Sequence, residues 1–310
     1  MKAARVNRFG PPDVISIADI PIPPPGEQDV LVRVCACGVG PWDALVRTGK
    51  SGLQQTLPLT LGSEVSGIVE RVGDRTTSFA VGDEVFGGTN RSFVDGYAEY
   101  AVTAEKMITK MPAALSHIQA AALPVVAVTA WQMLFDHAQS REGQTVVVHG
   151  GAGNVGGFAL QFARRQKLFV IATIHGGDAD YVRNLGAEQV IDTKTQDFSD
   201  FARCADVVID TVGGNTQDRL FTLAKPGGIV VSVVARPNER LAEQLGVRSD
   251  YFIVDVNTSQ LAKIAGMFEA KQLAIPVGSV LPLSEARAAH EMLAGSRTHA
   301  PGKIVLAVEG

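Results

Sequence analysis

Three glycines, Gly151, Gly153 and Gly156, fall in the GxGxxG spacing within GAGNVG. The apolar run TVVVH precedes them, and NVGGFALQFARRQ, which has the pattern of a helix, follows. Strand, glycine turn and helix in that order can cradle a phosphate. The missing side chains let the backbone turn sharply and let a pyrophosphate approach it. The helix N-terminus adds free N–H groups and a partial positive charge. A tight structural turn is the alternative, but the flanking strand and helix are the context a dinucleotide site requires. A second apolar run, LFVIAT, ends where an NAD site carries an Asp or Glu for the ribose 2′-hydroxyl. Thr173, Ile174 and His175 stand there instead. No carboxylate at those positions repels a 2′-phosphate, and His175 and Arg183 are placed to contact one. NADP (NADPH) is therefore the expected cofactor. Asp178 and Asp180 count against it if they face the pocket, and Arg183 also reads as a solvated helix residue.

Other chemistries find less support. Cys35, Cys37 and Cys204 are too few, and odd in number, for a disulfide framework. Cys35 and Cys37 share one face of a strand and read as two small buried side chains. No second cluster completes the four ligands of a zinc site. His117, His137, His290 and His299 show no metal spacing and read as surface or helix-end residues. No G-x-S-x-G signature suggests a hydrolase. A net charge of −4 gives no general attraction to nucleic acid. No run of about eighteen apolar residues predicts a membrane span. The N-terminal stretch lacks a secretion signal, so a cytoplasmic protein is expected.

The elements that position the glycine turn fall into two kinds. Before about residue 110, short Val-rich runs such as DVLVRVCACGV, EVSGIVERVG, GDEVFGG and GYAEYAV are punctuated by Gly and predict a compact antiparallel barrel. Residues 116–138 are Ala-rich and helical, with Ser116 as N-cap and a new segment from Pro124. From residue 145, strands and helices alternate. TVVVHG, LFVIAT, ADVVID and GIVVSVV are continuous apolar strands of a parallel sheet covered on both faces. YVRNLGAEQVI is a helix stopped by Gly186 and then a strand, and GKIVLAV is a last strand returning to the first domain.

LTLGSEVSGIVERVG, VGDEVFG, GYAEYAV, AALPVVAVTAW, HGGAGNVG, LGAEQVID, DTVGG and GKIVL occur in an order and spacing that span nearly the whole chain. In these stretches the chain resembles the zinc-independent quinone-oxidoreductase branch of the medium-chain dehydrogenase/reductases. The resemblance implies an α/β fold: a Rossmann doubly wound parallel sheet plus a β-rich GroES-like barrel domain. It implies a GroES-like catalytic domain over 1–118, a dinucleotide-binding domain over 119–262 and a C-terminal return over 263–310, with the active site between domains. Zinc-dependent relatives carry His-Glu where this chain has Ser63-Glu64, and a catalytic cysteine at the position of Gly40. Glu64 then reads as a buried, paired carboxylate.

The same resemblance implies NADPH-dependent hydride transfer to a small-molecule acceptor, a quinone or an α,β-unsaturated carbonyl (an enone). It implies a homodimer, paired through Rossmann edge strands at GIVVSVV. Thr129 would lie near the nicotinamide ribose, and Gly153, Asn154 and Val155 at the pyrophosphate. Val212, Val233, Val234 and Ala235 would border the cofactor path, Phe252 and Ile253 would approach the nicotinamide, and Lys303 would lie near the cofactor. Known quinone reductases carry Asn and Tyr where this chain has Gly40 and Leu45, which leaves a more apolar pocket. Trp42 is a candidate for its aromatic wall, or a core residue. Tyr97 is a candidate oxyanion donor, or a barrel-strand tyrosine with its hydroxyl in solvent. Asn90 and Arg91 sit in a loop that could border the cleft. An enoyl reductase of a biosynthetic pathway and a non-catalytic NADPH-binding redox sensor are the competing functions.

Overall fold

The computed structural model describes residues 1–177 and 179–308, with Ser199 described by its backbone alone. Asp178, one of the two acids weighed against a 2′-phosphate, lies outside the described residues. The chain divides into two compact units. One joins residues 1–125 to the segment from Val256 onward, and the other spans Val126–Asp255.

The first unit opens with β1 (Lys2–Val6), β2 (Ile15–Asp19) and the long β3 (Asp29–Val39). Helix α1 (Pro41–Thr48) follows, then β4 (Leu59–Thr60), β5 (Glu64–Val72), β6 (Glu84–Gly88), β7 (Tyr100–Ala104), β8 (Ile108–Lys110) and α2 (His117–Ala121). Ser116 caps α2 in a reciprocal box with Gln119, as its sequence predicts. Two register shifts between β3 and β5 bend the pair, which is how a short antiparallel sheet curls towards a barrel. Gly67 permits this approach, because a side chain there would overlap the Arg33 carbonyl.

Helix α3 (Pro124–Trp131) starts at the predicted proline and runs into a π-helical turn, Gln132–His137. The second unit is then a six-stranded parallel sheet. Its members are β9 (Thr145–His149), β10 (Phe169–Ile174), β11 (Gln189–Asp192), β12 (Ala205–Asp210), β13 (Ala224–Ser232) and β14 (Arg248–Tyr251). They lie in the order β11-β10-β9-β12-β13-β14, a doubly wound arrangement whose switch point falls at β9. The helices are α4 (Asn154–Arg165), α5 (Ala179–Leu185), α6 (Gln217–Leu220) and α7 (Glu239–Leu245). Gly186, at φ +124, ends α5 as expected.

One expectation is corrected. GIVVSVV does not form an edge: β13 is hydrogen-bonded on both sides, to β12 and β14, and the open edges are β11 and β14. Pairing of two copies through GIVVSVV is therefore blocked. The polar RSDY of β14 carries no apolar strand signal, and it is this strand that caps the sheet.

The chain re-enters the first unit through α8 (Thr258–Glu269), β15 (Val277–Pro282), α9 (Ala286–Leu293) and β16 (Lys303–Ala307). β16 pairs antiparallel with β3, from Ile304↔Val39 to Ala307↔Ala36, so GKIVLAV does return to the first unit. Among the described residues no helix is long and apolar enough to cross a membrane.

Candidate functional site

The glycine turn leaves β9 and enters α4. Gly150 has φ +83, and a Cβ there would stand 2.6 Å from Thr211 Oγ1 and Val212 Cγ2. Gly156 faces the Gly150 carbonyl so closely that any side chain would overlap it, and a Cβ on Gly151 would meet that of Ala172 at 2.9 Å. Gly153 differs. A Cβ there would find only the Gly150 oxygen, at 3.3 Å, within 4 Å. Gly153 is exposed and is the N-cap of α4, and no side chain caps the helix. Three glycines thus fold the turn tightly while the fourth leaves a bare, donor-rich approach, which suits a pyrophosphate.

A polar network underlies the turn. His149 Nδ1 lies 2.6 Å from Thr173 Oγ1 and Nε2 lies 3.1 Å from Thr216 Oγ1. Burial pushes the His149 pKa down, against the pull of Asp210. The buried Asp210 carboxylate accepts from Val212 N (3.1 Å), Gly213 N (2.8 Å), Gln217 Nε2 (3.0 Å) and Ser232 Oγ (3.0 Å). It fixes the turn after β12 and ties it to the end of β13. Thr173 belongs to this scaffold. Its side chain is buried, and its hydroxyl bonds His149 and receives the Gly150 N–H at 3.3 Å. It props the turn from beneath.

The predicted cofactor residues of this unit gather at the C-terminal ends of the parallel strands, except Thr129, which is buried on α3. Asn154 and Val155 open α4 beside Gly153. Val212 follows β12, Val233, Val234 and Ala235 follow β13, and Phe252 and Ile253 follow β14. Val212, Val234 and Ile253 are 54, 45 and 41% exposed, an apolar rim at the position where α/β sheets bind ligands. Phe252 is stacked on His137 at 3.8 Å, and His137 Nδ1 is 2.8 Å from Asp250 Oδ2.

Beyond β10, His175 is exposed, with Nδ1 3.2 Å from Thr193 Oγ1. Arg183 is bound to Asp180 at 3.0 Å, one turn away on α5. The cation next to His175 is one the sequence reading missed. Lys194 lies over Gly176, where a Cβ would stand 2.9 Å from its Nζ, and Asp192 fixes both loops by accepting from Gly176 N and Lys194 N at 2.9 Å. Gln189–Asp192 forms a strand beside β10, which is what brings residue 194 there. That pairing is non-local and leaves no motif.

In the barrel unit, Lys303 is 2% exposed and forms an ion pair with Glu64, whose other oxygen accepts from Val125 N at 2.8 Å. Glu64 is thus the buried, paired carboxylate the sequence suggests. Asp43 Oδ2 accepts from Gly40 N at 2.8 Å and caps α1. Burial raises the Asp43 pKa to about 6, although the Lys303 ammonium pulls it down. Tyr97 is fully buried, so its hydroxyl does not face solvent. Its hydroxyl and Asp43 Oδ1 are both enclosed without a hydrogen-bond partner among the described residues, and the two side chains interact electrostatically. Trp42 is half-buried against the barrel core, edge-on to Phe93 at 5.8 Å, with its indole N–H enclosed and without an acceptor among the described residues. Asn90 is committed to its own turn, donating to Val94 O and accepting from Ser92 N. His290 is not a surface residue: α9 buries it completely, and burial holds its pKa down at about 3. Cys37 is buried, with Sγ 2.8 Å from Gly96 O, whereas Cys35 is only half-buried.

The positions aligned with zinc ligands do not fit a metal. Gly40 offers no donor atom, and Glu64 already holds an ammonium, a cation that repels another. Among the described residues no three His, Cys, Asp or Glu side chains come together as a metal site.

Comparison with known proteins agrees with this geometry. Residues 26–113 match the family described as alcohol dehydrogenase GroES-like domain, and residues 185–306 the family described as zinc-binding dehydrogenase. The chain is 34% identical to a quinone oxidoreductase of Mus musculus over 94% of its own length and 93% of the relative's. The quinone oxidoreductase structure from Coxiella burnetii superposes with a TM-score of 0.93 at 32% identity, covering 100% of this chain and 99% of that one. A mycobacterial structure complexed with NADPH superposes at 0.87 with 28% identity, covering 99% and 100%.

Proposed function

Because the chain belongs to the quinone-oxidoreductase-like medium-chain dehydrogenase/reductases, and is an oxidoreductase that uses a nicotinamide cofactor, we propose that it is an NADPH-dependent reductase of quinones or α,β-unsaturated carbonyls that works without zinc. The observation that carries this reading is the bare approach at Gly153, framed by glycines that admit no side chain and by the exposed rim of Val212, Val234 and Ile253. When bound, the nicotinamide supplies a hydride to an electron-poor acceptor, chemistry that needs no metal for these substrates. The first turn of α4 holds the pyrophosphate, and the rim keeps water from the path beyond it. His175 and Lys194 offer two donors to a 2′-phosphate, with no carboxylate at 173–175, which favours NADPH over NADH. Two copies would associate through β14 or β11, the free sheet edges.

The test is oxidation of NADPH followed by absorbance against a panel of quinones and enones, with NADH in parallel. Turnover is expected, faster with NADPH. Saturable NADPH binding with no turnover on any acceptor would leave the redox-sensor reading, and equal use of NADH would remove the NADP preference.

A further inference from the structure

His149 joins two loops of the Rossmann unit, and its partners fix the direction of each hydrogen bond. Thr216 Oγ1 lies 3.0 Å from the Gly213 carbonyl, which can only accept, and 3.1 Å from His149 Nε2. A hydroxyl has one proton to give. If Gly213 takes it, Nε2 carries the ring proton and donates to Thr216. Nδ1 is then an acceptor and takes the Thr173 hydroxyl proton at 2.6 Å, while the Thr173 oxygen accepts from Gly150 N at 3.3 Å. All four bonds are made at once. With the ring proton on Nδ1, the buried Thr173 hydroxyl has no acceptor among the described residues, and the Thr216 proton serves His149 or Gly213 but not both. An imidazolium strands the Thr173 proton in the same way. The charged group acting on the ring is Asp210 from β12, and burial outweighs it in favour of the neutral form. The Phe198 ring lies edge-on at 5.7 Å.

We propose that His149, neutral and protonated on Nε2, is a positioning residue for the cofactor: it locks the glycine turn and the turn after β12 into one frame for the pyrophosphate. The inference rests on the nicotinamide-cofactor reading and deepens it. On one side of the ring, Thr173 holds two successive turn amides, Gly150 N through its hydroxyl and Gly151 N through its carbonyl, at 3.3 and 3.0 Å. The Gly150 carbonyl in turn accepts from Gly153 N at 3.0 Å, and Gly153 is where α4 and its bare N–H groups begin. On the other side, Thr216 holds Gly213. Its neighbour Val212 borders the glycine turn, with Cγ2 2.6 Å from where a Gly150 Cβ would stand. The His149 carbonyl adds a further tie, accepting from Thr211 Oγ1 at 2.7 Å. His149 thus acts on the cofactor only through the groups it orients, and a chain of hydrogen bonds with one direction makes them move together. Both dinucleotides carry the pyrophosphate, so this frame serves NADPH and NADH alike.

NMR of the wild-type protein carrying nitrogen-15 histidine reads the ring directly and needs no cofactor. At neutral pH His149, assigned by comparison with H149Q, should be neutral and protonated on Nε2. A proton on Nδ1 instead, or an imidazolium, overturns the proposal. T173V and T216V should each weaken NADPH and NADH by the same factor, roughly five- to tenfold by fluorescence titration, the worth of about one hydrogen bond. T173S and T216S keep the hydroxyl and should bind within about twofold of wild type. The double variant T173V/T216V should bind about as T173V does, since either change opens the same relay. T216V decides most, because Thr216 is only half-buried and lies on the loop away from the glycines. Wild-type affinity in T216V, or losses that multiply in the double variant, overturns the proposal and leaves the cofactor reading intact. If the wild type binds neither dinucleotide, the cofactor reading itself fails, and the positioning role with it.

Discussion

Each unit buries a polar cluster, and the two are built on different terms. At the strand ends of the Rossmann unit, Asp210 accepts four hydrogen bonds and both ring nitrogens of His149 are partnered. In the barrel unit, Arg47 Nε and Nη1, both nitrogens of His290, the Trp42 indole and Asp43 Oδ1 are enclosed without hydrogen-bond partners among the described residues. A satisfied network fixes shape: partners on both ring nitrogens hold even the desolvated His149 in place beneath the glycine turn. A network short of partners keeps its groups desolvated and displaces their proton affinities, as with Asp43 at about 6 and His290 at about 3. Displaced affinities belong where protons are moved.

The largest expected effect sits in the barrel and breaks the comparison if absent. His290, depressed from 6.5 to about 3, contributes stability that is present above pH 6.5 and lost as pH falls towards 3, roughly 4–5 kcal/mol in all. Asp43 has the opposite sign. Raised from 3.8 to about 6, it contributes stability that is full below pH 3.8 and lost as pH rises through 6, about 3 kcal/mol. Urea unfolding across this range should show H290L gaining on wild type towards acid pH, and D43N gaining towards neutral pH. Two flat difference curves would mean that the barrel cluster is no less satisfied than its counterpart.

In the Rossmann unit, D210A should cost about 3–5 kcal/mol, because four donors lose their acceptor together. A loss below about 1 kcal/mol would show that the network does not fix the turn. The glycine turn sharpens the contrast between filled and open positions. G156A should lose stability and NADPH binding together, whereas G153A should keep its Tm and weaken NADPH about tenfold by fluorescence titration. The smallest effect separates two cations. K194A should raise the KM for NADPH several-fold and leave NADH unchanged, while R183A, already paired with Asp180, should move neither beyond about twofold.

What could be read from the sequence was local. The glycine turn, the Ser116 cap, the Pro124 start and the apolar parallel strands each carry their signal within a few residues, and the structure has all four. What could not be read depends on which strands become neighbours. Tyr97 and His290 look like ordinary polar positions until the barrel closes over them. Thr173 stands where a ribose contact belongs, but pairing of β9 with β10 turns its hydroxyl onto His149. The β14 edge, made of RSDY, has no strand pattern, so the apolar strand signals stop one strand short of the sheet's edge. Cys35 and Cys37 alternate as a flat strand would have them, but the register shift between Val34 and Ala36 leaves one half-buried and the other fully buried.

The return of β16 to β3 also sets an order of events on the ribosome. The strand carrying Lys303 is synthesised only after the whole six-stranded unit, so the nascent barrel must wait with Glu64 unpaired and one side of β3 uncovered. The Rossmann unit, contiguous from Val126 to Asp255, has every strand it needs well before that. Nascent chains should therefore present a folded cofactor grip beside an unfinished barrel, and chaperones that bind exposed apolar strands would find them on the early half of the sequence.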